Sequence, residues 1–249
     1  MSERPLAGMR IVITRPKEGG DKLVAKIKEL GGTPIELPAI EIAPPQSYEN
    51  LDKALKRLND YDWLVFTSAN GVRFFFERAN VVGVVSGVRA RIAAVGPSTA
   101  EALDSHGLKA SFIPSLYLTR RLAEELPEVA GKRVLLVRSE NADNEMMEIL
   151  SRRGALVDEV RAYRVLVRSE SAEKLGDFDA VIFTSPSTAR GFKEILESSK
   201  ACKKSGFKVF CIGPVTARAA EELGFSVSGV AVEHTVDGLV KMLVEVAGG

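Results

Sequence analysis

The chain has 249 residues, of which 45% are hydrophobic and 27% are charged, and its formal net charge is +1. This length allows two small domains with a core each, and the even mixture of charges argues against a nucleic-acid-binding tail or a basic membrane-binding patch. No apolar run has the length of a membrane span, and we expect no signal peptide. Cys202 and Cys211, with two histidines, form neither a disulfide framework nor a zinc site, so we expect free thiols in a reducing cytosol.

Short apolar runs alternate with amphipathic helical patterns from one end of the chain to the other. Strands are predicted at 10–14, 33–37, 63–67, 91–95, 110–113, 133–137, 155–167, 179–184, 208–212 and near residue 226, and the last helix at 236–246. This alternation predicts parallel sheets in an α/β fold. On the helix after the third strand, Phe74, Phe75 and Phe76 are consecutive, so we expect one of the three rings to be exposed.

The sequence contains an internal duplication. A buried strand followed by Gly-Pro and a short helix occurs at Gly96 and again at Gly213, and 213 minus 96 gives 117. The Phe-Thr-Ser motif at Phe66 returns at Phe183 with the same interval, whereas the strand that ends at Arg15 returns at Arg138 after 123 residues. The pattern predicts a tandem duplication of three βα units and two similar α/β domains that face each other across a cleft.

Candidate binding residues follow the predicted strands, because ligands of parallel α/β sheets bind beyond the carboxyl ends of the strands. These ends carry hydroxyls, arginines and helix N-termini but no carboxylate, which favours an anionic ligand. Any single hydroxyl there can equally be a helix N-cap, and it is the repetition in both halves that favours binding. The candidates are Thr14, Arg15, Ser68, Ser98, Thr99, Arg138, Ser185, Gly213, Val215 and Thr216.

Several familiar catalytic motifs are missing from the sequence. It contains no GxGxxG after a strand, no Walker A motif, no HExxH and no GxSxG. His106 and His234 lie in predicted loops, where we expect them to be exposed rather than catalytic. A reaction in such a site would depend mainly on positioning and on backbone dipoles.

The order of the motifs resembles the uroporphyrinogen-III synthase family over nearly the whole chain. The motifs are Ile-Thr-Arg-Pro at 13–16, Phe-Thr-Ser-Ala-Asn-Gly-Val at 66–72, Val-Gly-Pro-Ser-Thr-Ala at 95–100, Val-Arg at 137–138, Ala-Tyr-Arg-Val at 162–165, Phe-Thr-Ser-Pro-Ser at 183–187 and Ile-Gly-Pro-Val-Thr-Ala at 212–217. The resemblance implies an enzyme that cyclises hydroxymethylbilane with loss of water and inversion of its last pyrrole ring. It also implies no metal or organic cofactor, a cytosolic monomer, and a product that leads to haem, sirohaem and cobalamin.

The resemblance further implies a particular domain layout. Residues 1–36 and 166–249 would form one three-layer, flavodoxin-like domain and residues 39–162 the other. Two extended connectors, near 37–42 and 160–165, would join them. The duplication supports the equivalence of the connectors, because 163 minus 40 also gives 123.

The resemblance carries over to particular residues. Tyr163 and Thr216 match the catalytic tyrosine and threonine, Thr99 is the equivalent of Thr216 in the other domain, and the strand-end hydroxyls match Ser68 and Ser185. Arg15 and Arg138 are added from the charge argument alone. The substrate has eight carboxylates and loses a hydroxyl to give an azafulvene, so the phenol of Tyr163 would protonate the leaving hydroxyl or hydrogen-bond to it. The alternative is an interface tyrosine whose O–H is satisfied within the protein.

A non-catalytic reading stays open at this point. A two-lobed small-molecule sensor would also have two α/β lobes and crossing connectors. Such a sensor usually has carbohydrate-stacking aromatics and a fused DNA-binding domain. Here Trp63 is the only tryptophan, it begins a predicted buried strand, and no DNA-binding domain is recognisable.

Overall fold

The computed structural model describes residues 4–15, 21–84, 87–168, 175–198 and 206–247. The strands are β1 (Arg10–Ile13), β2 (Thr33–Glu36), β3 (Ile40–Ala43), β4 (Trp63–Phe66), β5 (Arg91–Ala94), β6 (Arg133–Ser139), β7 (Leu156–Val167), β8 (Ala180–Phe183), β9 (Lys208–Cys211) and β10 (Val227–Val230). The helices are α1 (Asp21–Glu29), α2 (Glu49–Lys56), α3 (Ala69–Val82), α4 (Pro97–Asp104), α5 (Thr119–Glu125), α6 (Glu145–Arg152), α7 (Pro186–Ser198), α8 (Pro214–Glu222) and α9 (Val236–Ala247). Cys202 and Pro16 lie outside the described residues.

The chain divides into two compact units. The first unit consists of Met1–Glu41 and Leu166–Gly249, and the second unit of Ile42–Val165. The chain passes from the first unit to the second after Glu41 and returns after Val165. Each unit is built around a five-stranded sheet.

The sheet of the first unit has the strand order β2-β1-β8-β9-β10. All four neighbouring pairs are parallel, and the order is the 2-1-3-4-5 order of flavodoxin-like folds. Strands such as β8 are buried along their whole length because helices cover both faces of the sheet. Side chains alternate between a core beneath α7 and α8 and a core beneath α1 and α9. This three-layer α/β arrangement confirms the predicted fold class.

The second sheet has the same spatial order of equivalent strands, although those strands follow one another in a different order along the chain. Its order is β3-β7-β6-β4-β5, in which β7-β6-β4-β5 corresponds to β2-β1-β8-β9. The counterpart of β10, predicted as a strand at 110–113, is reduced to one parallel bridge between Ala93 and Phe112. The first connector enters this sheet as its edge strand β3. Two cores again lie on opposite faces, one beneath α2, α3 and α4 and one beneath α5 and α6.

The prediction that one of the three consecutive phenylalanines is exposed is wrong. Phe74, Phe75 and Phe76 are all buried in one core. Phe75 meets Phe66 edge-on, with ring centroids 5.3 Å apart, while Phe76 is covered by His106 at 4.3 Å. Helical periodicity spreads three adjacent side chains around α3, but tertiary neighbours cover each direction in which they project.

Candidate functional site

Tyr163 owes its orientation to an irregularity in β7. Arg138 pairs with Arg161 and Ser139 pairs with Tyr163, so Ala162 is an additional residue between two consecutive pairs. Side chains of a regular strand alternate between faces, and an inserted residue turns the following side chain to the opposite face. Val160, Ala162 and Tyr163 consequently belong to the same core. The bulge therefore directs the Tyr163 ring towards α3 rather than away from it.

The Tyr163 phenol lies at the junction of this core with the carboxyl ends of the strands. Its oxygen is 3.0 Å from Ser68 Oγ, its ring stacks on Phe74 with centroids 5.9 Å apart, and only 7% of the residue is exposed. Burial raises the pKa of Tyr163, while Ser68, Ser139 and the charge of Arg138 act in the opposite direction. The phenol is therefore protonated at neutral pH, and its neighbours favour the phenolate when the proton leaves.

Ser68 is the N-cap of α3. Its backbone is extended and its Oγ accepts a hydrogen bond of 3.0 Å from the Gly71 N–H, as the sequence predicts. Because that lone pair is occupied, the Ser68 hydroxyl can donate its own proton to the Tyr163 oxygen. In that arrangement the phenol O–H of Tyr163 is free to point towards a ligand.

Arg138 is buried in the protein rather than presented to a ligand. Its guanidinium donates to the Asp143 carbonyl at 2.7 Å and to Glu159 at 3.2 Å. Arg161 contacts the same Glu159 at 2.7 Å and donates to the carbonyls of Ser139 and Ala142. The two arginines thus hold the loop that follows β6, and the Glu140 N–H in that loop donates to the Tyr163 carbonyl. Arg138 therefore supports Tyr163 from within the protein, and its guanidinium is occupied by protein partners rather than presented to a ligand.

The N-terminus of α4 provides the other candidate residues of the second unit. Gly96 is the N-cap, and Pro97 has no N–H, so Ser98 provides the first N–H of the helix. Ser98 is exposed, whereas Thr99 is only 1% exposed. The hydroxyl of Thr99 makes no hydrogen bond to any residue that the structure describes.

The N-terminus of α8 has the same construction in the first unit. Gly213 is the N-cap, Pro214 is the first helical residue, and Val215 provides the first N–H. Val215 is exposed, and Thr216 is only 4% exposed. In the described ranges the Thr216 hydroxyl likewise has no hydrogen-bond partner. Both helices therefore present unpaired backbone N–H groups beside the hydroxyl of a buried threonine, which is a suitable arrangement for a carboxylate.

The remaining candidates of the first unit differ in how available they are. Thr14 is fully buried and donates a hydrogen bond of 2.7 Å to the Ile182 carbonyl, so its hydroxyl is occupied. Ser185 accepts from the Thr188 N–H at 3.2 Å, as the predicted cap of α7. Arg15 is half-buried, and burial lowers its pKa. It makes no ion pair with the residues described, in contrast to its repeat counterpart Arg138.

The two units diverge at the position of the phenol. The counterparts of Tyr163 and Phe74 are Ile40 and Gly191, since 163 minus 40 gives 123 and 191 minus 74 gives 117. A Cβ on Gly191 would lie 2.6 Å from the Ala39 carbonyl oxygen, so the first connector packs directly on the α7 backbone. An aromatic pair thus occupies this place in the second unit, and a close backbone contact occupies it in the first. Only the second unit provides an acidic proton here.

Neither a metal site nor a membrane span emerges from the described ranges. No group of three His, Cys, Asp or Glu side chains in them is placed to hold a metal ion. None of the helices there has both the length and the apolar character needed to cross a membrane. His106 and His234 are both exposed. Cys211 is buried, and burial raises the pKa of its thiol to about 12, so it is not a nucleophile at neutral pH.

Comparisons with known proteins agree with the motif order. A family model described as uroporphyrinogen-III synthase HemD matches residues 21–241. The chain is 34% identical to the uroporphyrinogen-III synthase of Synechococcus elongatus, with 96% of each chain covered. It is also 34% identical to the porphyrin biosynthesis protein HemD of Ruminiclostridium josui over 99% of its own length, but it spans only 50% of that relative.

Solved structures share the fold. A mutant uroporphyrinogen III synthase from the extremely thermophilic bacterium Thermus thermophilus has a TM-score of 0.69 at 21% identity, covering 94% of this chain and 96% of that one. The uroporphyrinogen-III synthetase of Helicobacter pylori has a TM-score of 0.60 at 17% identity, covering 94% and 97%. At these identities the likeness shows the fold alone.

Proposed function

Because the chain belongs to the uroporphyrinogen-III synthase family, we propose that it converts hydroxymethylbilane into uroporphyrinogen III. In this reaction the linear tetrapyrrole loses its terminal hydroxyl as water, closes into a macrocycle and inverts its last pyrrole ring. The alternative of a non-catalytic two-lobed sensor has no support from the relatives, whose names describe synthases.

The observation that carries the proposed chemistry is the setting of the Tyr163 phenol. Loss of the hydroxyl requires a proton, because water is a far better leaving group than hydroxide. We assign Tyr163 as the group that donates this proton or the hydrogen bond that replaces it. Its raised pKa keeps the proton in place at neutral pH. The Ser68 hydroxyl at 3.0 Å and the nearby Arg138 charge then stabilise the developing phenolate.

The carboxylates of the substrate need groups that donate hydrogen bonds to them, and not a group that transfers a proton. We propose that the first N–H groups of α4 and α8, on Ser98 and Val215, bind two of them. Thr99 and Thr216 are buried residues beside these N–H groups, and their hydroxyls lack partners among the described residues, so they can donate to the same carboxylates. Arg15 adds a positive charge in the first unit.

The leaving hydroxyl and the carboxylates therefore have separate binding groups. After water leaves, the azafulvene carbon is attacked by the substituted carbon of the last ring. The bond between that carbon and its original methylene bridge then breaks, the bridge bonds to the free carbon of the same ring, and that carbon loses its proton, which produces the inversion. The protein binds and folds the chain through the carboxylates while the electron pairs rearrange within the substrate. We propose no metal or organic cofactor for these steps, and a monomer that acts in the cytoplasm.

The proposed activity is tested with freshly generated hydroxymethylbilane and the purified chain in a chelator-containing buffer. After oxidation to porphyrins, chromatography separates the type I isomer, which forms spontaneously, from the type III isomer. We expect type III as the main product without added metal or cofactor. Bilane that closes only to type I, at the rate of the blank, would contradict the proposal. Light scattering during size exclusion checks the monomer.

A further inference from the structure

The two helix N-termini share a feature that the catalytic assignment does not use, which is an aromatic ring lying against the N-cap glycine. A Cβ on Gly96 would lie 3.2 Å from Cβ and Cγ of Tyr117. A Cβ on Gly213 would lie 3.1 Å from Cδ2 of the His234 ring. We call each pair a ring-on-glycine element.

These elements are equivalent under the internal duplication. The interval from Tyr117 to His234 is 234 minus 117, which gives the same 117 residues that separate the glycines. The structure verifies this register independently. The Ile92 N–H donates to Ser111 Oγ at 3.1 Å, and the Val209 N–H donates to Ser228 Oγ at 3.1 Å, with both partners again 117 apart.

The glycines are required by the rings and not by the backbone. Gly96 has φ −175° and Gly213 has φ −173°, which is extended backbone that any residue adopts. A Cβ at either position would shift the ring by a few tenths of an ångström. The ring is therefore the feature that both units retain, although the segments that carry Tyr117 and His234 otherwise differ.

The rings are free to contact a ligand. Tyr117 is 59% exposed and His234 is exposed. Neither side chain makes a hydrogen bond to a residue that the structure describes. The helix that each glycine caps begins with an unpaired N–H and has in its first turn a buried threonine, Thr99 at 1% exposure or Thr216 at 4%, whose hydroxyl has no partner among the described residues. A carboxylate bound at the helix end would place whatever flat group bears it next to the aromatic ring.

We propose that Tyr117 and His234 are substrate-contact residues, each packing its ring against a pyrrole whose acid side chain is bound at the adjacent helix N-terminus. This inference rests on the proposed function and adds to it two residues, one from each unit. A pyrrole is flat and electron-rich, so a neighbouring ring contributes apolar area and an offset-stacked or edge contact. The contact is made by the ring itself and not by the phenol or imidazole polar atoms.

The test compares Tyr117→Ala, Tyr117→Phe, His234→Ala and His234→Phe with the wild-type chain, by initial rate against hydroxymethylbilane concentration and by isomer ratio. We expect each alanine variant to raise KM by about 3- to 10-fold, the scale of one aromatic contact, with a smaller change in kcat. The phenylalanine variants keep the ring and stay near the wild-type KM. Leu116→Ala and Val232→Ala, at exposed positions one and two residues before the two rings in the sequence, serve as matched controls.

Gly96→Ala and Gly213→Ala provide a second route to the same result, because an added Cβ displaces the ring without deleting it. They should raise KM by less than the Tyr117→Ala and His234→Ala variants do, because the ring shifts by only a few tenths of an ångström. Thermal unfolding checks that all variants fold. Wild-type KM in both ring-to-alanine variants, with a normal wild-type enzyme, would overturn the inference and leave the proposed function standing. Phenylalanine variants as impaired as the alanine variants would also overturn it. A wild-type chain that does not turn over hydroxymethylbilane would contradict both this inference and the proposed function.

Discussion

Replacing Tyr163 by phenylalanine removes one oxygen from the candidate site and leaves the packing in place. The stack on Phe74, at 5.9 Å between centroids, involves the ring and survives the change. Ser68 keeps its hydrogen bond from the Gly71 N–H, so α3 stays capped. The loss for folding is one side-chain hydrogen bond, which is worth about 0.5–1.5 kcal/mol.

The expected loss for catalysis is larger. A positioned general acid contributes at least ~100-fold in rate, and at about 1.36 kcal/mol for each factor of ten this corresponds to about 2.7 kcal/mol of transition-state stabilisation. The rate of type III formation by Tyr163→Phe should therefore fall by ~100-fold or more. Spontaneous type I should take the place of the missing product. The wild-type enzyme should lose activity at alkaline pH, where Tyr163 with its raised pKa finally loses its proton. The residual activity of the variant should not show this loss.

Tyr61→Phe is the matched control. Tyr61 is buried in the same unit just before β4, at the opposite end of the sheet, and its phenol donates to Asp158 at 2.8 Å. This variant should lose similar stability, measured by urea unfolding, but no activity. A wild-type rate and isomer ratio in Tyr163→Phe, or an equal loss in both variants, would refute the assignment of Tyr163 as the acid.

Three further predictions concern other parts of the molecule. Thr216→Val nearly keeps the volume and removes a hydroxyl that has no partner among the described residues, so the KM for hydroxymethylbilane should rise and the fraction of type III should fall, with unchanged thermal unfolding. Lys22 and Lys26, at 2.8 and 2.9 Å, lower the pKa of Asp237 from 3.8 to about 2, so their contribution to stability is complete above pH 4 and is lost as the pH falls towards 2. Asp237→Asn should thus slightly lower the urea midpoint at pH 7, and salt or acid should abolish the difference. A fragment of residues 39–162 should unfold cooperatively, whereas a fragment of residues 1–125 should not, because it splits both units.

Much of the fold follows from local patterns in the sequence. The buried strands and the caps at Ser68 and Ser185 are recognisable because apolar runs and N-cap residues act over a few positions. The fixed intervals of 117 and 123 residues then reveal two similar units. The packing of the three phenylalanines on α3 was not predictable in this way, because it depends on Tyr163 and His106, which are distant in the chain.

The site shows the same division between local and long-range information. The hydroxyls and the Gly-Pro turns are visible in the sequence, but the partners of Arg138 are not. Its ion pair with Glu159 arises because the neighbouring strand β7 places that carboxylate beside it, and the charge argument alone assigned Arg138 to a ligand. The bulge at Ala162 is likewise a property of strand pairing. By contrast, Tyr117 and His234 carry a signal in the sequence itself, their interval of 117 residues, although neither belongs to a repeated motif.

The proposed activity of this chain is the direction of ring closure of hydroxymethylbilane to the inverted isomer. Its most direct test is the fraction of type III product at fixed bilane and increasing protein concentration, because enzymatic closure competes with spontaneous closure to type I. We predict a fraction that rises from near zero in the blank towards complete type III, and a Tyr163→Phe curve displaced to about 100-fold higher protein concentration. Type I as the product at every protein concentration would show that the chain does not catalyse this closure.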